Sequence, residues 1–115
     1  MGIQNWSDEI TVVELNDDPQ FSEDLSALMD GLEGTPNDVV LNFTAVGFIN
    51  SSNVAKLLRL RKMMMSSQRR LILCGINTHV WGVFLVTGLD KIYEVANDIS
   101  TALAIIQLGN VGTDQ

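Results

Sequence analysis

Runs of apolar residues the length of a β-strand alternate along this chain with amphipathic segments the length of a helix. Crossover units around a largely parallel sheet are the architecture that absorbs such an alternation. Residues 10–15, Ile-Thr-Val-Val-Glu-Leu, form the first β-rich run. Pro19 stands where the opening turn of a helix tolerates it. Phe21, Leu25, Leu28, Met29 and Leu32 then recur at helical spacing until Gly34 and Pro36 stop the run. Residues 38–43 follow, with the successive aliphatic residues Val39, Val40 and Leu41. Such a run suits a central strand covered on both faces, and it carries the strand's C-terminal end to the middle of the molecule.

A short irregular link, residues 44–50, leads to a helix over 52–66. At about 100° per residue counted from Val54, the side chains of Val54, Leu57, Leu58, Met64 and Met65 share one apolar stripe. Lys56 and Arg59 point away from it, Arg61 falls inside it and must snorkel or find a partner, and Leu60 and Met63 fall on the outer face. Residues 71–75 form the next buried strand. Asn77 or Thr78 can cap a helix over 79–87, closed by Gly88, with Val80, Val83 and Phe84 on one side and Trp81 and Leu85 on another. Residues 92–95 make a short strand. Asp98 then caps a last helix, with Ile99, Ala102, Leu103 and Ile106 at core spacing, which Gly109 ends. The expected fold is therefore α/β: a mostly parallel, mixed sheet of four or five strands with about four helices. It occupies one domain over residues 1–115, with its core at 10–107 and a flexible tail at 110–115.

Composition narrows the classes of function. A chain of 115 residues that is 46% hydrophobic and 18% charged can bury one core. Its longest near-apolar stretches, 80–86 and 102–106, fall short of the roughly 20 residues of a membrane-spanning helix. Residues 1–9, with Asp8 and Glu9, lack the basic and apolar regions of a secretory signal, so the cytoplasm is the expected location and no membrane partner is expected. A net charge of −7 argues against nucleic acid as a direct partner. Ten of the fourteen acidic residues lie between Asp8 and Asp38, and six of the seven basic ones between Lys56 and Arg70. That asymmetry either orients a partner by its field or reflects two solvated surfaces that neutralise each other.

Inventory disposes of most catalytic chemistry. Cys74 is the only cysteine, so there is no internal disulfide and no cysteine-framed metal site. In the run Leu71-Ile-Leu-Cys-Gly75 it reads as a small buried hydrophobe. His79 is the only histidine, and no Gly-x-Ser-x-Gly elbow, Walker-type loop or Gly-x-Gly-x-x-Gly loop occurs. No cofactor, metal or enzymatic activity is expected, since a hydrolase built on Ser51 or Ser52 would lack a base and an oxyanion motif. Asp17 and Asp18 read as a solvated turn. The segment Phe48-Ile-Asn-Ser-Ser-Asn-Val54 stands where a buried strand gives way to a helix. Helix starts leave free N–H groups and a partial positive charge, so Asn50, Ser51 or Ser52 can serve as an ordinary N-cap. The same position suits a switch, because a phosphate adds about −1.5 to −2 charges and three acceptor oxygens where donors already point.

Three stretches, in order, resemble the STAS domain family over residues 10–107. They are Val39-Val-Leu-Asn-Phe43 with Phe48-Ile-Asn-Ser-Ser-Asn-Val54, then Arg70-Leu-Ile-Leu-Cys-Gly-Ile76, then Leu85-Val-Thr-Gly-Leu-Asp-Lys-Ile-Tyr-Glu-Val95. The resemblance is to the anti-sigma factor antagonists of bacteria. It implies a protein-binding switch that sequesters a serine kinase doubling as an anti-sigma factor, so that a sigma factor is released. It further implies that the kinase supplies the nucleotide and phosphorylates the first serine of an Asp-Ser-Ser/Thr-Gly motif. By position that serine is Ser51, Ser52 is its neighbour at the helix start, and the loop of Asp17 and Asp18 flanks the same surface. Asn50 stands where the motif has Asp and Asn53 where it has Gly, which removes one charge, adds bulk and keeps the capacity to cap a helix. The resemblance also admits an unphosphorylated scaffold or ligand-sensing module, using a surface at Trp81 and Leu85 or at Leu60 and Met63.

Overall fold

The computed structural model describes residues 2–111. Five strands form one sheet: β1 (Ile3–Asn5), β2 (Ile10–Asn16), β3 (Asp38–Ala45), β4 (Leu71–Cys74) and β5 (Glu94–Ala96), side by side in chain order. The pairs β2–β3, β3–β4 and β4–β5 are parallel, while β1 runs antiparallel to β2. The sheet is thus mixed and mostly parallel, as its alternation of runs requires, with β3 at its centre. β1 has no counterpart in the sequence reading. Its residues Ile3, Gln4 and Asn5 carry no apolar run, and the strand exists through its pairing with Val13, Val12 and Thr11.

Three helices, α1 (Gln20–Gly34), α2 (Ser51–Ser67) and α3 (Thr78–Thr87), each join one parallel strand to the next. They cover one face of the sheet, where Val13, Leu15, Val39, Leu41, Phe43 and Leu73 meet Phe21, Leu25, Leu57, Leu60 and Phe84. The other face belongs to α4 (Ile99–Val111), whose Ala102, Leu103 and Ile106 pack on Ile10, Val12, Val40, Ile72 and Cys74. Strand side chains alternate between faces, so β3 sends Val39, Leu41 and Phe43 one way and Val40 the other. That is why its aliphatic run is unbroken. A 3₁₀ turn, Leu89–Lys91, occupies the approach to β5, and the strand accordingly starts at Glu94 and not at residue 92.

α1 buries the five residues the spacing picked out. The stripe on α2 is different: Asn53, Leu57, Leu60 and Met64 are buried. Leu60 has no exposed surface, and Leu58 and Met65 are 41% and 60% exposed. The true axis of the stripe is rotated from the one through Val54, and it passes through a polar residue, Asn53, that hydrophobic spacing does not include. Met63 is half-buried against the same core. Arg61 finds the partner it needs, its Nε donating to the Ile92 carbonyl at 3.2 Å. α4 runs two residues past Gly109. There the glycine provides room and does not stop the helix, since a Cβ would sit 2.5 Å from the Arg70 guanidinium. Asn110 and Val111, read as the start of a flexible tail, belong to α4, and positions 112–115 lie outside the described residues.

Candidate functional site

Parallel strands deliver their C-terminal ends to one edge of the sheet, and at that edge two loops meet. One leaves β2 with Asp17 and Asp18; the other leaves β3 and enters α2 at Ser51. Val46 and Ile49 anchor the second loop in the core, which turns Phe48 outward, 56% exposed. Asn77 holds the loop from α3. Its Nδ2 donates to the Val46 carbonyl at 2.8 Å, while its Oδ1 caps α3 by accepting from the Val80 N–H at 2.8 Å. From β2, Asp17 Oδ1 accepts from the N–H groups of Gly47 at 2.8 Å and Phe48 at 3.4 Å. The aspartate expected as a solvated turn therefore ties two connections together.

Asn50 is the N-cap of α2, and with Asn53 it forms a reciprocal capping box. Asn50 Oδ1 accepts from the Asn53 N–H at 2.8 Å, and Asn53 Oδ1 accepts from the Asn50 N–H at 3.0 Å. Both amide Nδ2 groups then donate to Asp18 Oδ2, Asn53 at 2.9 Å and Asn50 at 3.3 Å. Asp18 Oδ1 accepts from the N–H and hydroxyl of Ser22, in the first turn of α1. The Asn53 amide foremost, with Ser22 and Asn50 adding, holds the Asp18 carboxyl below its ordinary value against an opposing desolvation. Asn53 is only 2% exposed, so its extra bulk is absorbed inside the joint between α1 and α2.

Ser51 and Ser52 stand exposed in the first turn of α2, with Asn50 also exposed before them. Of the six residues singled out in the sequence, Asp17, Asp18 and Asn50 lie on these two adjoining loops and Ser51, Ser52 and Asn53 in the first turn of α2. Phe48, Ser22 and Asn77 complete the arrangement and were not singled out as a site. Phe48 was detectable in principle, as an aromatic between the buried Val46 and Ile49; the roles of Ser22 and Asn77 depend on partners distant in sequence. Leu60, named as an outer apolar position, is buried and presents no surface. His79 is exposed at the start of α3. Among the described residues no group of three or more His, Cys, Asp or Glu side chains could hold a metal ion, and no helix is long and apolar enough to cross a membrane. What the site offers chemically is an exposed hydroxyl on a rigid turn, at the positive end of a helix.

Known proteins share the family and the fold of this chain. The family model described as STAS domain matches residues 6–102. BtrV of Bordetella bronchiseptica, assigned as an anti-sigma factor antagonist, is 32% identical over 85 residues, covering 74% of this chain and 71% of BtrV. TM1081 of Thermotoga maritima, likewise assigned, has a structure that superposes with a TM-score of 0.81 at 20% identity, covering 91% of this chain and 92% of that one. The antagonist SpoIIAA in its unphosphorylated form gives 0.78 at 18% identity, covering 91% and 94%. Bacillus SpoIIAA in its phosphorylated form gives 0.70 at 18%, covering 90% and 96%. At these identities the structural likenesses speak for the fold.

Proposed function

This chain belongs to the STAS domain family, among its anti-sigma factor antagonists, and from that premise we propose that it is a phosphorylation-switched binding protein of the cytoplasm. While Ser51 is unmodified, the chain holds an anti-sigma serine kinase and thereby frees a sigma factor. The observation that carries this reading is the exposure of Ser51 on a turn fixed from both sides, by Asp17 through Gly47 and by Asp18 through Asn50 and Asn53. A relative of the same fold, SpoIIAA, exists in phosphorylated and unphosphorylated forms. The exposed Phe48 beside the serine supplies an aromatic anchor of the kind that dominates protein interfaces.

In the modification step the Ser51 hydroxyl oxygen attacks the γ-phosphorus of ATP held by the kinase. A new O–P bond forms, the bond from that phosphorus to the bridging oxygen breaks, ADP leaves, and the hydroxyl proton passes to a base on the kinase. The product places about −1.5 to −2 charges at the centre of the docking face, beside Asp17 and Asp18. Like-charge repulsion and lost close approach then raise the off-rate.

Intact-mass measurement and peptide mapping after incubation with ATP and the anti-sigma kinases of the source genome test the reading. One phosphate on Ser51 is expected, and none on Ser51→Ala. Ser51→Ala should stay bound to the kinase and Ser51→Asp should release it; equal binding by the two variants would sink the switch. A second reading is a scaffold that leaves Ser51 unmodified. It draws on the exposed Leu85 and Val86 of α3 and on an adjacent cleft of about 240 Å³ lined by Ile76, Trp81, Val95, Ala96 and Asn97. A stable complex indifferent to kinase and ATP would favour it.

A further inference from the structure

Asp18 receives hydrogen bonds from the starts of two helices at once. Ser22 of α1 occupies one carboxylate oxygen at 2.9 and 3.0 Å, and Asn53 and Asn50 of α2 occupy the other at 2.9 and 3.3 Å. The oxygens of the two asparagines are committed to each other's backbone N–H groups. Their Nδ2 groups are thereby turned the same way, toward a single acceptor. Ser51 lies in the chain between these asparagines, so whatever fixes them fixes the turn from which its hydroxyl leaves.

We propose that Asp18 is a positioning residue for Ser51, acting through the paired amides of Asn50 and Asn53, and that its charge requires the residue at position 50 to be uncharged. The inference rests on the reading of Ser51 as the phosphoacceptor. A carboxylate at position 50 would still cap α2 with one oxygen. Its second oxygen would replace an amide donor 3.3 Å from Asp18 Oδ2, setting two negative charges where a hydrogen bond had been. At position 18 an amide fails for the complementary reason. Its single oxygen cannot serve both helices, and its NH₂ group meets other donors.

The test is a double-mutant cycle on the full chain, read first as the rate of phosphate incorporation at Ser51. Asp18→Asn and Asn50→Asp should each slow it about tenfold, the size of one lost pairwise coupling. In the Asn50→Asp background the same Asp18→Asn change removes the like charge and supplies a donor. Asn53 Nδ2 still lacks its acceptor there, so the double variant should be about threefold faster than Asn50→Asp and stay about threefold below the parent. One substitution acting with opposite sign in two backgrounds is not what a residue that merely supports the fold produces. Additive losses, or an Asn50→Asp variant modified as fast as the parent, overturn the proposal. Amide hydrogen exchange at Asn53 reads the same four proteins without any kinase. Slow exchange in the parent, faster exchange in each single variant and intermediate exchange in the double variant are expected. Uniform exchange across the four overturns the latch even where Ser51 is modified. The expected pattern with no phosphate on the parent upholds the latch and retires Ser51 as an acceptor.

Discussion

At Cys74 the surroundings decide the chemistry. The thiol has no exposed surface, at the end of β4 on the face covered by α4. Burial foremost, with the negative charges of Asp98 and Glu14 adding, pushes it up to about 11 from the ordinary 9.0. The unfolded chain therefore loses this proton first. The thiol's contribution to stability is intact below about pH 9 and declines as pH rises toward about 11, by on the order of 2 kcal/mol. Urea midpoints measured across that window should fall while those between about pH 7 and 8 agree, and native Cys74 should alkylate at least about a hundredfold more slowly than the unfolded thiol. Tyr93 adds to the decline at still higher pH. Its hydroxyl is buried with no hydrogen-bond partner among the described residues, and desolvation raises it with Arg61 opposing. Residue type and local spacing are enough to read Cys74 as buried and Asp98 as a cap, and the structure agrees at both; for α2 they leave Asn50, Ser51 and Ser52 open as caps, of which the structure takes Asn50. They were not enough for Asp18, because its amide partners lie 32 and 35 positions away and nothing in a helical or strand period encodes such a contact.

On α2 the inward face is set by packing, and the relevant test is a pair of truncations on opposite sides. Leu60→Ala opens a cavity beneath a side chain with no exposed surface and should cost about 2–5 kcal/mol. Leu58→Ala and Met65→Ala remove exposed atoms and should each change stability by less than about 0.5 kcal/mol. Denaturant melts of the three variants check this, and the reverse ranking would restore the stripe that counting from Val54 gave. Legibility differed between helices for a physical reason. In α1 every buried position is apolar, so spacing alone fixes the phase. In α2 the buried line begins at Asn53, which satisfies its polar atoms through Asn50 and Asp18, and five other apolar residues flank that line. The glycine that ends α3, Gly88, adopts φ 80° as a left-handed cap, whereas Gly109 lies within a continuing helix. Identity alone does not separate these two uses.

For the molecule as a whole, the sheet is shared by two cores, and β3 contributes to both. Truncation on either face, Leu41→Ala toward α1 and α2 or Val40→Ala toward α4, should shift one common unfolding transition to lower temperature. Calorimetry resolving two transitions would contradict this. The uneven charge of the sequence is partly neutralised at the sheet's other end, where Arg69 pairs with Asp38 at 3.3 Å and Arg70 with Glu94 at 2.9 Å. The crossover architecture was legible because each parallel strand must be followed by a segment long enough to return. β1 was not, since a three-residue edge strand owes its existence to a neighbour. The left-to-right order of strands, β1 through β5, is also their order in the chain. During synthesis each strand emerges to find its template already made, and no early segment waits with an open edge for a distant one to be translated. Only the α4 face waits, so a ribosome-bound chain halted after β5 would carry a finished sheet with one oily side still wet.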